Sequence, residues 1–447
     1  MRLQTTGTRT LIVGLGRTGL ACARFLVARG VELAVTDSRE RPPGLKDLRE
    51  QMPDVAVFVG GFSEDALQHA DQLVVSPGIP VSTPFVMKAR VMGLPVLGDI
   101  ELFAQHARAP VIGITGSNGK STVTTLVGLM AEQAGRKVRI GGNLGTPALE
   151  LLSGTEPELY VLELSSFQLE TTDSLHCTSA TVLNVSPDHM DRYATLDEYA
   201  AAKARVFRHC DTAVLNRDDP RVRDMGAAAG TRISFGLGAP RAQEFGLVLH
   251  AGERWLAHGE TRLLAASSLH LHGDHNLANA LAALALGEAA GLPMPAMLSA
   301  LQRFRGLPHR MEFVTRVNDV DWYDDSKGTN VGATLAAVSG LAGPLVLIAG
   351  GDGKGQDFTP LAAALVGKVR AVVLLGRDAA AIEAAIAGRL PIERVQDMPA
   401  AVQAAARHAQ PGDRVLLSPA CSSLDMFDNF EHRGRVFAQA ARRLADG

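Results

Sequence analysis

Cysteine is scarce in this chain of 447 residues: Cys22, Cys177, Cys210 and Cys421 lie far apart, with no CxxC pair. No His/Cys cluster has the spacing of a zinc site, and the usage fits a reduced, cytosolic setting. A charge excess is missing too, since 44 basic residues face 47 acidic ones for a formal charge of −3. A broad basic field for nucleic acid is therefore absent, no nucleic-acid partner is expected, and any anionic ligand has to be held locally. Long apolar runs are also lacking. Leu11 to Gly16 is cut short by Arg17, which argues against a signal peptide. Gly328 to Gly351 carries no charge, but Asn330, Ser339, Gly340, Gly343 and Pro344 punctuate it, so it reads as a helix followed by a strand and no membrane partner is expected. There is no fixed-period repeat and no low-complexity tract.

What remains is a composition that can bury real cores, with 46% hydrophobic and 20% charged residues and 45 glycines. At about 150 residues per domain the length suggests about three domains. Short apolar runs, turns rich in Gly, Asp or Ser, and Ala/Leu-rich helical stretches alternate along the chain, the pattern of parallel α/β folding. Strands are expected at Thr10 to Leu15, Glu32 to Thr36, Gln72 to Val75, Val111 to Thr115, Leu159 to Leu164, Ala180 to Asn184 and Ala213 to Asn216. Between Arg232 and Gly273 the stretches ISFG, FGLVLH, ERWLAHGE and SLHLHG read instead as hairpin strands forming a small antiparallel attachment. After a helix near Asn276 to Ala290, alternation resumes with PLVLIAGG, VRAVVLLG and RVLLSPA. The turn near Gly98 and the segment Arg303 to Arg310 are the candidate boundaries, giving domains 1–98, 99–306 and 307–447.

Two glycine-rich loops carry chemistry. Gly14-Leu15-Gly16-Arg17-Thr18-Gly19 follows a strand and opens a helix, with Asp37 ending the next strand. Backbone amides there can meet a diphosphate at the helix N-terminus. A nicotinamide cofactor is the default reading, but the motif alone reports a nucleotide diphosphate, a group that UDP-sugars also contain. The second loop, Gly113-Ile114-Thr115-Gly116-Ser117-Asn118-Gly119-Lys120-Ser121-Thr122, is more specific. Its amides can cradle β- and γ-phosphates, Lys120 can neutralise them and Ser121 can reach Mg²⁺. Ile114 stands where the usual pattern has its first glycine.

The variant TGSNGKST resembles the ATP loop of the Mur ligases, which add amino acids to the peptidoglycan precursor. GDIELF, GGNLGTPAL, ELSSFQLE, LNVSPDHMDRY, GDHNLANALAALAL, GLPHRMEF, DSKGTN, GGDGK and SPACSSLDMF extend the resemblance from end to end, within the branch that adds glutamate. It implies three α/β domains: a Rossmann-like N-terminal one, a central ATPase-like parallel sheet with the antiparallel attachment, and a Rossmann-like C-terminal one. The implied activity is ATP-dependent amide ligation in the cytoplasm by a monomer, with UDP-N-acetylmuramoyl-L-alanine and glutamate as substrates. The same resemblance assigns roles. Gly116, Ser117, Asn118, Gly119, Lys120, Ser121 and Thr122, with Asn276, Arg310 and Asp325, meet ATP. Leu15, Thr18, Asp37, Ser38, Arg39, Gly78, Asn143 and His189 meet the UDP substrate. Lys327, Thr329, Lys354, Ser418 and Phe427 meet glutamate. Ser121, Glu163, His189 and Lys203 hold Mg²⁺, with two ions expected and Lys203 carrying a CO₂-derived carbamate. Lys120, Glu163, His189 and Lys203 form the catalytic set, and His309 a positioning residue. Because Arg310 and Asp325 fall in a different module from Lys120, a lid-like closure is expected.

Taken residue by residue, these assignments compete with ordinary alternatives. Glu163 and His189 sit at the ends of two expected strands, where a solvated loop residue is commonplace. Lys203 lies in a helix, where an exposed lysine is the common case, and Asn276 suits a helix cap. Lys354 suits a surface loop. Gly328 and Asp324 stand where the family commonly has Ala and Asn, so acceptor affinity is the property expected to deviate.

Overall fold

The apolar runs become the centres of three sheets in the computed structural model, which describes residues 7–271 and 273–444. In the first sheet Ala56–Val59, Glu32–Asp37, Arg9–Val13, Gln72–Val75 and Val96–Leu97 lie side by side in that order, with parallel pairings throughout. Chain order reverses direction beside Arg9–Val13, so the loops after that strand and after Gln72–Val75 border a crevice at the strands' carboxyl ends. Helix Arg17–Val27 starts there and buries Leu20, Phe25 and Leu26. Gly19 must be glycine, because a Cβ on it would lie 2.0 Å from the Gly14 carbonyl oxygen.

The second sheet has nine strands, ordered Thr261–Ala265, Glu253–His258, Phe245–His250, Thr231–Phe235, His209–Asn216, His176–Val182, Val111–Thr115, Leu159–Glu163 and Val138–Gly142. The expected antiparallel attachment is only partly right. Thr231–Phe235 pairs parallel to His209–Asn216, and only from Phe245–His250 onward, against Glu253–His258, does the pairing turn antiparallel. Those strands continue the main sheet through its edge instead of forming a body of their own. SLHLHG is not a strand over its described residues: Ala266–Ser268 is a short 3₁₀ turn, and His272 lies outside the described residues.

The third sheet runs Glu312–Val317, Val320–Asp324, Arg414–Leu417, Leu345–Ala349, Val369–Leu374 and Ile392–Arg394. It is parallel except for its first hairpin. Leu345, Leu347 and Ala349 point into one core while Val346 and Ile348 point into another, which is why this strand reads as an unbroken apolar run. Truncating the fully buried Leu347 to Ala costs about 2–5 kcal/mol on that account. The chargeless stretch resolves into helix Val331–Gly340, capped by the Asn330 side chain, and strand Leu345–Ala349. Among the described residues no helix is long and apolar enough to cross a membrane.

By its internal contacts the chain divides into two units. One takes residues up to Val185 with Asp197–Leu264 and Asn279–Leu301, and so holds the first two sheets. The other takes Ser186–Leu196, Ala265–Ala278 and Gln302 to the C-terminus, and so holds the third.

Candidate functional site

In the first unit, the loop after strand Val111–Thr115 feeds helix Lys120–Gln133, whose first amides point toward the loop. Gly119 turns the chain with φ +85°, and a Cβ on it would come within 2.3 Å of Asn279 Oδ1. Asn184 braces the loop from the neighbouring strand's end: Asn118 N donates to its Oδ1 (2.8 Å), its Nδ2 donates to Asn118 O (3.1 Å), and Ser117 N donates to its carbonyl (2.9 Å). The Lys120 ammonium curls over the loop, donating to Gly116 O and Ser117 O at 2.8 and 2.9 Å. Ser121 and Thr122 are buried at the helix start. Asn184 and Asn279 are absent from the sequence-based set. The juxtaposition of Gly119 with Asn279 depends on packing between segments about 160 residues apart, which no local motif reveals.

Lys203 is not the exposed helical lysine that its helix suggests. It is 1% exposed, its Nζ donates to Gly116 O at 3.0 Å, and it sits 4.2 Å from the centre of the Tyr199 ring. Glu163 ends strand Leu159–Glu163 next to the phosphate-loop strand. It is 3% exposed, and one carboxylate oxygen accepts from Asn143 Nδ2 at 2.6 Å. The other oxygen, Oε2, is buried with no hydrogen-bond partner among the described residues. A buried carboxylate oxygen left open is costly unless a cation or donor meets it, and a hard oxygen suits Mg²⁺. These residues therefore fit the divalent ion that the phosphate loop implies.

Also in the first unit, Asp37 is fully buried and accepts from Leu15 N (2.7 Å), from Arg39 N and Nε (both 2.9 Å), and from the Arg39 terminal nitrogen (2.7 Å). Burial works against its charge, but the hydrogen bonds from Arg39 and Leu15 outweigh burial and hold the carboxyl below its usual range. Leu15 has its side chain in the core, so only its backbone can face a ligand, whereas Ser38, Arg39 and Gly78 are exposed and Thr18 half-buried. Ser76 Oγ donates to Gly14 O (2.7 Å), joining the loop that carries Gly78 to the glycine turn.

The second unit gathers the expected acceptor residues. Its segment Ser186–Leu196 carries His189, which lies well past the strand end at Val182 and has a left-handed φ of 57°. The expectation of His189 on a strand end is thus corrected: the ring is placed by a loop, and this loop groups with the second unit while Glu163, Ser121 and Lys203 belong to the first. Beside it, buried Asp188 accepts from Lys354 Nζ at 2.8 Å and from Asn330 Nδ2 at 3.2 Å. Lys354 is accordingly no loose surface residue, and its side chain is 15% exposed. Lys327 lies 3.7 Å from the centre of the Phe430 ring, and Thr329 N donates to Lys327 O.

Ser418 is fully buried and spends its hydroxyl on Asp325 Oδ2 (2.8 Å) and Thr334 Oγ1 (3.1 Å), and Phe427 packs on the apolar core. Phe430, which the motif reading passed over, is the aromatic ring beside Lys327. Asp325 is buried, and burial pushes its carboxyl up to about 7 despite the Ser418 hydrogen bond and the nearby Arg310. Next to Arg310, the His309 ring meets Asp324 Oδ2 at 2.7 Å, an ion pair that raises the imidazole above its ordinary value. Asp324 therefore brings a partner for His309. At Gly328 a Cβ would meet Asp325 Oδ2 and Ser418 Oγ, each at 2.7 Å, so glycine there leaves that hydrogen bond undisturbed. Asn276 lies within the first turn of helix Asp274–Ala289 and donates its N–H to Gly273 O at 3.0 Å, so it is not the cap. Its neighbour His275 is held below its usual value by burial, with Arg310 adding to the effect.

Comparison with known proteins follows the three sheets. Residues 8–98 match a model described as Mur ligase MurD-like, N-terminal domain, residues 114–287 the Mur ligase middle domain, and residues 309–421 the Mur ligase glutamate ligase domain. A UDP-N-acetylmuramoylalanine–D-glutamate ligase of Nitrosococcus oceani is 58% identical over 437 residues, 97% of this chain and 96% of that protein. The protein of that name in Pseudomonas aeruginosa is 53% identical over 439 residues, 97% and 98% of the two chains. Among solved structures, the UDP-N-acetylmuramate-alanine ligase MurC of Thermotoga maritima superposes with a TM-score of 0.62 at 18% identity, covering 98% of this chain and 99% of its own. MurF of Acinetobacter baumannii does so at 0.60 and 18%, covering 99% and 93%. At such identity these two establish shared fold alone.

Proposed function

The chain belongs to the Mur ligase family, and from that premise we propose that it joins D-glutamate to UDP-N-acetylmuramoyl-L-alanine, converting ATP to ADP and phosphate. The observation that carries this reading is the phosphate loop on a parallel sheet with the open, buried oxygen of Glu163 on the adjoining strand. Amide formation from a carboxylate is uphill in water, so the carboxylate is first activated as an acyl phosphate.

The loop amides of Gly116 to Thr122 and the Lys120 ammonium hold and orient the phosphates for in-line attack by the substrate carboxylate. Asn276 meets adenine, Asp325 the ribose and Arg310 a phosphate. Ser121, Glu163, His189 and Lys203, the last as a carbamate, hold two Mg²⁺ ions. When bound, these ions screen the repulsion between phosphate and carboxylate and stabilise charge on the transferred group. Leu15 N, Thr18, Ser38, Arg39 and Gly78 hold the UDP end, with Asp37 as the fixed acceptor that orients Arg39, and Asn143 and His189 meet the muramoyl-alanine part. Lys327, Thr329 and Lys354 pair with the two glutamate carboxylates, leaving the amine to attack the acyl phosphate. Ser418 and Phe427 complete the glutamate site. The reaction is cytoplasmic and the chain acts as a monomer, with module boundaries near residues 98 and 306.

A nicotinamide reading of Gly14 to Gly19 is less favoured, because the Asp37 carboxylate that would meet the ribose is committed to Arg39 and Leu15 N. Phosphate release from ATP, Mg²⁺ and UDP-N-acetylmuramoyl-L-alanine tests the proposal. D-glutamate should stimulate release and L-glutamate should not. Release that ignores both acceptors would overturn it, as would tight NADH binding without ATP turnover.

A further inference from the structure

Arg433 is the fourth residue of helix Phe430–Arg443 and is 2% exposed. A cation near the N-terminal end of a helix opposes the helix dipole, and a buried guanidinium is normally paired with a carboxylate. Neither usual stabilisation applies, because Arg433 forms no ion pair among the described residues. Its nitrogens go to main-chain and hydroxyl oxygens: Nε to Ser326 Oγ at 3.0 Å, one terminal nitrogen to Ser326 O at 2.7 Å, and both terminal nitrogens to Cys421 O at 3.1 Å. Burial lowers its pKa to about 10, which still leaves it charged at neutral pH.

The oxygens it grips belong to two loops of the acceptor region. Ser326 lies between Asp325 and Lys327, is fully buried, and also donates from its hydroxyl to Phe430 O at 2.8 Å. Cys421 lies in the loop after strand Arg414–Leu417, which is joined to the first loop by Ala420 N donating to Gly328 O at 2.9 Å. A third loop abuts the same group: a Cβ on Gly351 would stand 3.4 Å from a terminal nitrogen of Arg433 and 2.2 Å from Ser422 O. That glycine begins the turn leading to Lys354, and Asp352 N donates to Ser422 O at 3.1 Å. One planar fork therefore joins the loop that carries Lys327 to the Cys421 loop, and the turn leading to Lys354 is hydrogen-bonded to the latter in its turn. A lysine carries its three donors on one nitrogen, so it cannot reproduce contacts that the fork makes from three separate, coplanar nitrogens.

We propose that Arg433 is a positioning residue for the acceptor amino acid, setting the spacing of the two lysines that hold its carboxylates. The inference rests on the glutamate-ligase reading above. That reading is checked first, by acceptor-dependent phosphate release from the unaltered protein. Arg433→Lys and Arg433→Ala are then measured two ways: the glutamate KM, and the acyl phosphate formed from ATP and UDP substrate without glutamate, trapped by borohydride reduction. The glutamate KM should rise at least tenfold while acyl phosphate formation stays within about threefold, and guanidinium ion should lower the KM of Arg433→Ala but not of Arg433→Lys. An unchanged glutamate KM in a folded variant overturns the role, as does an equal loss in both measurements. If neither variant folds, Ser326→Ala removes one acceptor of the clamp and should raise the glutamate KM about two- to fivefold, and no rise there would equally overturn the proposal.

Discussion

Lys203 illustrates how the setting of a single side chain changes its chemistry. Its ammonium nitrogen is removed from solvent and lies against the carbonyl of Gly116 in the phosphate loop, where an added carboxylate would supply anionic oxygen for a metal. Lys203→Ala should abolish phosphate release, and short carboxylic acids should restore part of it by replacing the carbamate. Full activity in that variant would sink the second-metal role. Lys354 and Asp188 make a different test. Removing one partner of a buried ion pair leaves the other's desolvation uncompensated, so Lys354→Ala should cost about 3–5 kcal/mol of stability by denaturant titration. Adding Asp188→Asn should recover a large part of that stability while glutamate-dependent turnover stays low, because the lysine proposed to meet the acceptor is still missing. Recovery of turnover along with stability would mean that Lys354 is structural only. Ser418 shows the limit of reading residues singly. A serine in a loop motif looks available for a ligand, and only the packing of Asp325 and Thr334 around it shows that its hydroxyl is used internally.

Among the elements, the segments GDIELF and ELSSFQLE, met as recognition motifs, acquire a physical reason. Ser165 caps helix Ser166–Leu169, and Gln168 closes the capping box on the Ser165 backbone. Gln168 then donates from Nε2 to Asp99 Oδ2 at 2.8 Å, while Glu101 on the same helix as Asp99 accepts from Asp173 N, Ser174 N and Ser174 Oγ. Two short helices, Asp99–Ala104 and Ser166–Leu169, are thus locked by side chains about 70 residues apart. Asp99 bears the cost: burial raises its carboxyl to about 6, with the Gln168 bond only partly offsetting this, and its Oδ1 has no hydrogen-bond partner among the described residues. Since the folded pKa exceeds the unfolded one, the native state binds the extra proton between about pH 4 and 6. The stabilisation is complete below pH 4 and is lost as pH rises through about 6. Asp99→Asn should flatten the denaturation midpoint across that window. An unchanged slope from pH 4 to 6 would show that another group titrates there. The element types themselves were largely legible, because the parallel strands are continuous apolar runs. The sheet's antiparallel edge was legible only in part: Thr231–Phe235 pairs parallel with both of its neighbours, and strand direction relative to a partner is not encoded by alternation along one strand.

For the molecule as a whole, three sheets in two units make all-or-none unfolding an unsuitable description. Calorimetry should give a measured enthalpy above the van't Hoff value, with UDP substrate moving the transition of the first unit more than that of the second. A single transition with equal enthalpies would contradict this. The small net charge also gains meaning at this scale. At −3, or −5 with Lys203 carbamylated, the chain exerts no broad attraction on anions, so under the proposed function capture would fall to the loop amides, Lys120, Arg39, Lys327 and Lys354.

The sequence by itself determined the α/β class, the phosphate loop, the glycine turn and the family, because these depend on residue types at short, fixed spacing along one strand–loop–helix unit. Tertiary structure alone decided that Lys203 is buried, that Glu163 keeps an open oxygen, that Asp188 takes Lys354, that His189 groups with the second unit, and that Arg433 clamps two loops. Each of those depends on segments distant in sequence arriving side by side. Burial and hydrogen-bond partnership are properties of that arrival, and local spacing carries no record of them.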